Sequence, residues 1–170
     1  MIGGRYALRG LQAADLPALM ALQAQAYGAA FVEPAAVMAQ RLAVSPQTVW
    51  GLFDAPGAMG AYLLAYRSVP GAVASLHQPF EPAPRPRALY LHDLAVHPEA
   101  KGQGLGPRLV ATALALARAE GLEGLGLVAV QGSQAFWQRQ GFVPGRLDEA
   151  SQAGLAGYGE EATYLWRPLP

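Results

Sequence analysis

The chain contains no cysteine. Disulfides, thiolate-bound metals and a cysteine nucleophile are therefore excluded, and no metal centre is expected. It also lacks net charge: 12 Lys and Arg balance 12 Asp and Glu, and charged residues make up only 14% of the chain. A nucleic-acid binder ordinarily carries a strongly basic face, so no nucleic-acid partner is expected. No uncharged apolar run approaches the roughly 18 residues that cross a bilayer. The opening Met1-Ile2-Gly3-Gly4-Arg5 has no signal-peptide core. The expectation is a soluble, cytoplasmic protein with no membrane partner. Internal repeats and linkers are missing too. What remains is 170 residues, 52% of them hydrophobic, the size of one domain able to bury a continuous core.

The patterning is that of a mixed α/β domain. Tyr6-Ala7-Leu8-Arg9 reads as a strand. Asp15 is a plausible helix N-cap with Pro17 in the first turn, followed by Leu16, Leu19, Met20, Gln23 and Tyr27 at helical spacing and Gly28 as a stop. A second helix is expected over 34–44. Strands over 48–53 and 59–69 flank the turn signal Ala55-Pro56-Gly57, which predicts a hairpin. Residues 71–87 carry Pro79, Pro82, Pro84 and Pro86 and so cannot be regular helix or central strand. Such a long loop is either a surface connector or part of a site. A strongly apolar strand over 88–96 is interrupted only by His92 and Asp93, and a glycine-rich turn leads from it into a helix reaching Glu120. Gly121 suits the C′ position of that helix. Another apolar strand follows over 125–130. Then come a short helix capped by Ser133 and stopped by Gly141, and a strand-rich end containing Phe142 and Thr163-Tyr164-Leu165-Trp166.

The turn Lys101-Gly102-Gln103-Gly104-Leu105-Gly106 carries the first chemical signal. The first N–H groups of a helix are unpaired and lie at the positive end of its dipole, and glycines let a phosphate approach the backbone. The turn is thus either an anion site or merely a tight strand-to-helix connection. It lacks the Lys-Ser/Thr of a Walker A loop after Gly106. Gly104-x-Gly106 is followed by Pro107-Arg108-Leu109, which breaks the Rossmann pattern.

Ala95-Val96-His97-Pro98 running into 101–106 resembles the acetyl-coenzyme A motif of the GNAT N-acetyltransferase superfamily, Arg/Gln-x-x-Gly-x-Gly/Ala after a strand ending Val-x-Pro. Lys101 stands where the family usually has Arg or Gln. Phe136-Trp137-Gln138-Arg139-Gln140-Gly141-Phe142 is similar to the family's later Phe-Tyr-x-x-x-Gly-Phe segment. Strand and helix order fits along almost the whole chain. The resemblance implies a single domain over 1–170, with a mixed sheet of six to seven strands, a V-shaped splay and about four flanking helices.

The same resemblance implies an N-acetyltransferase using acetyl-CoA as co-substrate. Strands 89–96 and 125–130 would splay around it. Lys101, Gly102, Gln103, Gly104, Leu105, Gly106 and Arg108 would bind the pyrophosphate, with Pro107 lacking one donor and Arg108 compensating by charge. Leu94, Ala95 and Val96 would hold the pantetheine arm, and the Leu94 N–H would polarise the thioester carbonyl. Gln131 or Ser133 would replace the family's asparagine, and Phe136 and Trp137 would line the cofactor site.

Amines titrate near 10.4, so attack at neutral pH calls for a base. His92, with an ordinary value near 6.5, is similar in position to a proton-relaying histidine of the arylalkylamine N-acetyltransferase branch. Tyr90 stands where that branch has another histidine, and would order the same waters. The alternative for His92 is a buried structural histidine. Strict alternation places Tyr90, His92 and Leu94 on one sheet face and Leu91 and Asp93 on the other. Trp137 replaces the family's tyrosine acid: its indole N–H donates a hydrogen bond but releases no proton, so it either steadies the departing sulfur or simply packs. Tyr158 and Tyr164 are the replacement acids.

The acceptor side draws on three groups. They are Tyr27, Phe31 and Glu33; His77, Phe80 and Glu81; and Tyr158, Glu160 and Glu161. That mix suits a small hydrophobic amine. A peptide amine, and a non-catalytic acyl-CoA sensor, are the alternatives. A monomer or homodimer is expected.

Overall fold

Seven strands form one mixed sheet in the computed structural model, which describes residues 5–27, 31–130 and 132–170. They are β1 Tyr6–Gly10, β2 Val49–Asp54, β3 Met59–Ser68, β4 Ala88–Val96, β5 Gly124–Ala129, β6 Val143–Pro144 and β7 Thr163–Pro168. Their spatial order is β1-β2-β3-β4-β5-β7-β6. Every neighbouring pair is antiparallel except β4 and β5, which run parallel. The helices are α1 Leu16–Ala26, α2 Ala35–Val44, α3 Leu105–Ala119, α4 Gln134–Arg139 and α5 Gln152–Ala156. The fold class expected from the sequence is the one observed. One helix more is present than predicted, because α5 buries no residue and so shows no apolar stripe.

Strands β2, β3 and β4 are buried on both faces, which is why they read as nearly continuous apolar runs. On one face Leu109, Ala113 and Ala117 of α3 pack against Leu63, Leu89 and Leu125. On the other, Leu19 and Leu22 of α1 and Met38 and Leu42 of α2 cover Tyr62, Leu64 and Tyr90. Burying one such leucine contributes about 1.5–3 kcal/mol, and this two-sided core holds the sheet rigid beneath the site.

Helix ends follow local chemistry. At the end of α3 the N–H of Gly121 (φ 68) bonds Arg118 O, and that of Leu122 bonds Ala117 O. This is the left-handed cap that Gly121 foreshadows. Asp15 does not cap α1. It closes a 3-10 turn at Ala13–Asp15, accepts the Gln12 N–H, and holds the Arg9 guanidinium through two 2.8 Å bonds. A neighbouring cation on β1 has outbid the helix amides for its carboxylate. Ser133 likewise makes no side-chain cap; its Oγ accepts from Val130 N instead. Gly28 lies outside the described residues.

Two irregularities in β4 create the site. The pairing with β3 shifts register, Leu64 facing Asp93 while Ala65 faces Leu91, so His92 is an extra residue in the strand. A bulge of this kind reverses the in–out phase beyond it. The strict alternation expected from sequence is therefore wrong for this strand. Leu91 and then Leu94 and Val96 pack towards α3. Tyr90, His92 and Asp93 all face the α1–α2 side, in contact with Tyr66, Glu33 and Tyr62 respectively. Pairing of β4 with β5 also ends at Leu91 and Leu127. Beyond that point the two parallel strands part, and a V-shaped gap opens between them.

Candidate active site

At the wide end of the gap lies an open cavity of ≈ 470 Å³, floored by the turn before α3. Gly102 and Gly104 have φ of 79 and 78, the left-handed region that other residues avoid. Amides at the start of a helix have no partner within it, and a turn of this kind leaves them free for an anion. A Cβ at either glycine would meet no protein atom within 4 Å; the space above them is open for a ligand. Lys101, Gly102, Gly104, Leu105 and Gly106 line the cavity, while Gln103 does not.

Arg108 is not placed to compensate for Pro107. Its guanidinium donates to Tyr6 O at 3.0 Å, and its amide is already bonded to Gly104 O. The cavity does take a second cation besides Lys101: Arg139, beside Gln140, both from the end of α4. Sequence reasoning missed these two. Their signal was position: they immediately precede Gly141 in the Phe136–Phe142 motif already singled out.

Narrower and deeper, a cavity of ≈ 210 Å³ sits between the parted strands. Leu94 and Phe136 line both cavities and join them. From β4 it receives Leu91, His92, Asp93 and Leu94, from β5 Leu127 and Val128, and from α4 Phe136 and Trp137. The acceptor-side residues divide. Tyr27, Phe31, Glu33 and Tyr158 reach this cavity, as does Leu76, which no motif or spacing singles out. His77, Phe80, Glu81, Glu160 and Glu161 do not line it.

His92 is buried among partners. Its Nε2 lies 3.1 and 3.3 Å from the two Glu33 carboxylate oxygens, and its Nδ1 lies 3.4 Å from Tyr158 Oη. The Tyr158 hydroxyl donates to Ala74 O, so towards Nδ1 it is an acceptor. Both ring nitrogens are thus engaged by protein. Tyr90 does not line the cavity; it stacks behind His92 with Tyr66 and contributes no surface to the site.

Glu33 is itself 2% exposed and forms a forked ion pair with Arg41 of α2, which is fully buried. It also accepts the His77 N–H at 2.8 Å. Burial pushes the Glu33 carboxyl up, but the His92 and Arg41 hydrogen bonds outweigh it and hold the group below its ordinary value. Glu33 is therefore a carboxylate already committed to partners, not a free acceptor-binding group. Arg41 occupies the buried stripe of α2 with Met38 and Leu42, and a charge on that stripe was the legible sign of a buried counterion.

Asp93 differs. Tyr62 Oη donates to its Oδ2 at 2.8 Å, and its Oδ1 is buried with no partner. Burial raises its pKa, against opposing effects of His92, Tyr27 and Tyr62. Burial next to Asp93 also holds the phenols of Tyr27 and Tyr62 well above the ordinary tyrosine value, so both stay hydrogen-bond donors. Tyr27 gives its proton to Leu94 O at 2.7 Å.

Trp137 is buried and packs edge-on against Phe136 and Phe142, ring centres 4.9 and 5.3 Å away. Ser133 lines the inner cavity with its hydroxyl bonded to the Val130 amide, and Gln131 lies outside the described residues. Ala95 is buried on the α1–α2 side, whereas Val96 lines the outer cavity. Of the two spare tyrosines, Tyr158 reaches the cavity. Tyr164 instead accepts the Gly71 N–H far from it.

Comparison with known proteins agrees with this geometry. The sequence matches the Acetyltransferase (GNAT) family over residues 23–142. In sequence no curated protein matches. Among solved structures, the GphF GNAT-like decarboxylase in complex with isobutyryl-CoA superposes with a TM-score of 0.78 at 22% identity, over 96% of this chain and 100% of that one. The loading GNATL domain of CurA from Lyngbya majuscula gives 0.76 at 16% identity, over 96% and 97%. The ribosomal-protein-S18-alanine N-acetyltransferase from Escherichia coli gives 0.68 at 19% identity, over 96% and 93%.

Proposed function

Because the chain belongs to the acetyltransferase (GNAT) family, we propose that it moves the acetyl group of acetyl-CoA to a small primary amine by direct attack in a ternary complex. The observation that carries this reading is the pair of cavities meeting at Leu94 and Phe136 where β4 and β5 part. The outer cavity offers backbone amides and Arg139 to a pyrophosphate. The gap takes the pantetheine arm, and the Leu94 amide stabilises the oxyanion as the carbonyl is attacked. The inner cavity takes the amine. Its wall carries Glu33 and Asp93 and, among the described residues, no Lys or Arg. A cationic amine with an apolar body suits it better than an acid.

The test is release of free thiol from acetyl-CoA across a panel of amines. Thiol release that depends on the amine, with the acetylated product seen by mass spectrometry, is the expected result. Binding of CoA without turnover on any amine would instead point to an acyl-CoA sensor. Turnover on peptide N-termini alone would replace the small amine by a peptide.

A second reading has one observation in its favour. Trp137 supplies no proton to a departing thiolate, and a decarboxylation, the reaction of the GphF protein, leaves the C–S bond intact. The Asp93 carboxylate in the wall argues against it, since it would repel a substrate carboxylate. Carbon dioxide release from malonyl-CoA without an amine is the measurement that would favour it.

A further inference from the structure

We propose that Asp93, not His92, accepts the proton that the amine sheds before attack. The inference rests on the transfer reading above and assigns a residue within it. Three features carry it. The bulge at His92 turns Asp93 onto the acceptor side of the sheet, where it lines the inner cavity. Its Oδ2 is held by Tyr62 at 2.8 Å while its Oδ1 has no partner. An unpaired buried carboxylate oxygen costs free energy that folding alone does not explain. His92, by contrast, has Glu33 against one nitrogen and Tyr158 against the other, so neither nitrogen stands open to an incoming ammonium.

The groups facing Asp93 come from every neighbouring element. Tyr62 lies on β3, Tyr27 at the end of α1, Glu33 in the α1–α2 connection with Arg41 behind it, and His92 beside it on β4. Two phenols that remain protonated cannot compete as bases, and Glu33 is tied to Arg41 and His92. Burial, moreover, raises the proton affinity of Asp93, towards the range in which a carboxylate is an effective base.

The step balances. The substrate ammonium gives one proton to the Asp93 carboxylate, and the freed nitrogen pair forms the C–N bond as the carbonyl π pair moves to oxygen. On collapse the C–S bond breaks, its electrons leaving on sulfur. The second proton on nitrogen passes to that sulfur, giving amide and CoA thiol. The Asp93 proton then returns to water. No side-chain acid is needed at sulfur, in keeping with Trp137 there.

The experiment measures kcat/KM against pH for wild type, Asp93→Asn, Tyr62→Phe and His92→Gln, with acetyl-CoA affinity measured by calorimetry. Asp93→Asn is expected to lose about 10²-fold or more in kcat, to keep its acetyl-CoA affinity, and to lose the acid limb of the profile. Tyr62→Phe removes the donor that steadies the charged carboxylate, so its acid limb is expected to move to higher pH. His92→Gln is expected to retain the limb. An Asp93→Asn profile that keeps the wild-type limb overturns the assignment. So does a Tyr62→Phe limb that stays in place, or a limb abolished by His92→Gln. Wild type that binds acetyl-CoA yet acetylates no amine overturns the transfer reading and this assignment together, whereas an active wild type with any of the former results overturns this assignment alone.

Discussion

Gly104 sits in the left-handed region at the first turn of α3, with open space where a side chain would point. A Cβ there meets no protein atom within 4 Å, so the main cost of a valine to the fold is the backbone penalty, about 1–2 kcal/mol. The same side chain would stand over the amides that face the outer cavity. Gly104→Val is therefore expected to separate two measurements that a merely structural glycine would move together. Calorimetric affinity for CoA should fall beyond detection, while the thermal midpoint drops by only a few degrees. Pro107 has no amide to give and Arg108 has turned to Tyr6, so neither offsets the loss. A midpoint that collapses along with affinity would assign the glycine to folding instead.

Between elements, the proline-rich stretch 70–87 is held by a few backbone bonds, among them Ala83 N–H and Arg87 N–H to the end of β3, and otherwise by side chains. Gln40 of α2 binds both the N–H and the O of Phe80, Arg41 donates to Gln78 O, Tyr158 donates to Ala74 O, and Ser151 Oγ accepts from Val73 N. These ties draw Leu76 onto the inner cavity. Gln40→Ala removes two hydrogen bonds and is expected to cost about 1–3 kcal/mol in urea unfolding. Its functional effect should fall on the acceptor: the amine KM rises while acetyl-CoA affinity is unchanged, because the outer cavity shares no wall with this stretch. Unchanged amine kinetics would return the stretch to the role of a connector.

The same scale explains what could be read in advance. Strands β2 to β5 were legible as long apolar runs and helix α3 by its period, while Gly121 and Gly141 mark the ends of α3 and α4 through a positive φ. The outer cavity was legible for a related reason: its donors are backbone, fixed by where glycines fall. The inner cavity was not. Its character depends on one extra residue in β4, which no composition or period announces, and which moves Asp93 across the sheet. It depends also on Glu33, Arg41 and His92 meeting from three elements, a contact set by tertiary packing.

For the whole molecule, that arrangement sets two buried carboxyls against each other as pH changes. Glu33 has its proton affinity lowered in the fold by His92 and Arg41, against burial. Its ion pairs contribute fully above the unfolded value of about 4.3 and are lost progressively as pH falls below it. Asp93 is shifted the other way, by burial. Between the unfolded value of about 3.9 and its raised folded value, the native state binds more protons than the unfolded one, so its contribution declines as pH rises through that window. Asp93→Asn keeps an oxygen for Tyr62 and removes only the titration. Calorimetric midpoints of wild type and Asp93→Asn should therefore lie closest near pH 4 and diverge towards pH 7, with the variant gaining as pH rises. Glu33→Gln should do the reverse, losing most at pH 7, where it strands Arg41, and least near pH 3. An aspartate buried here, where an asparagine would fill the same space, costs stability as pH rises, which is the trade that the proposed proton acceptor calls for. Midpoints for Asp93→Asn that track wild type at every pH would show that no such trade exists.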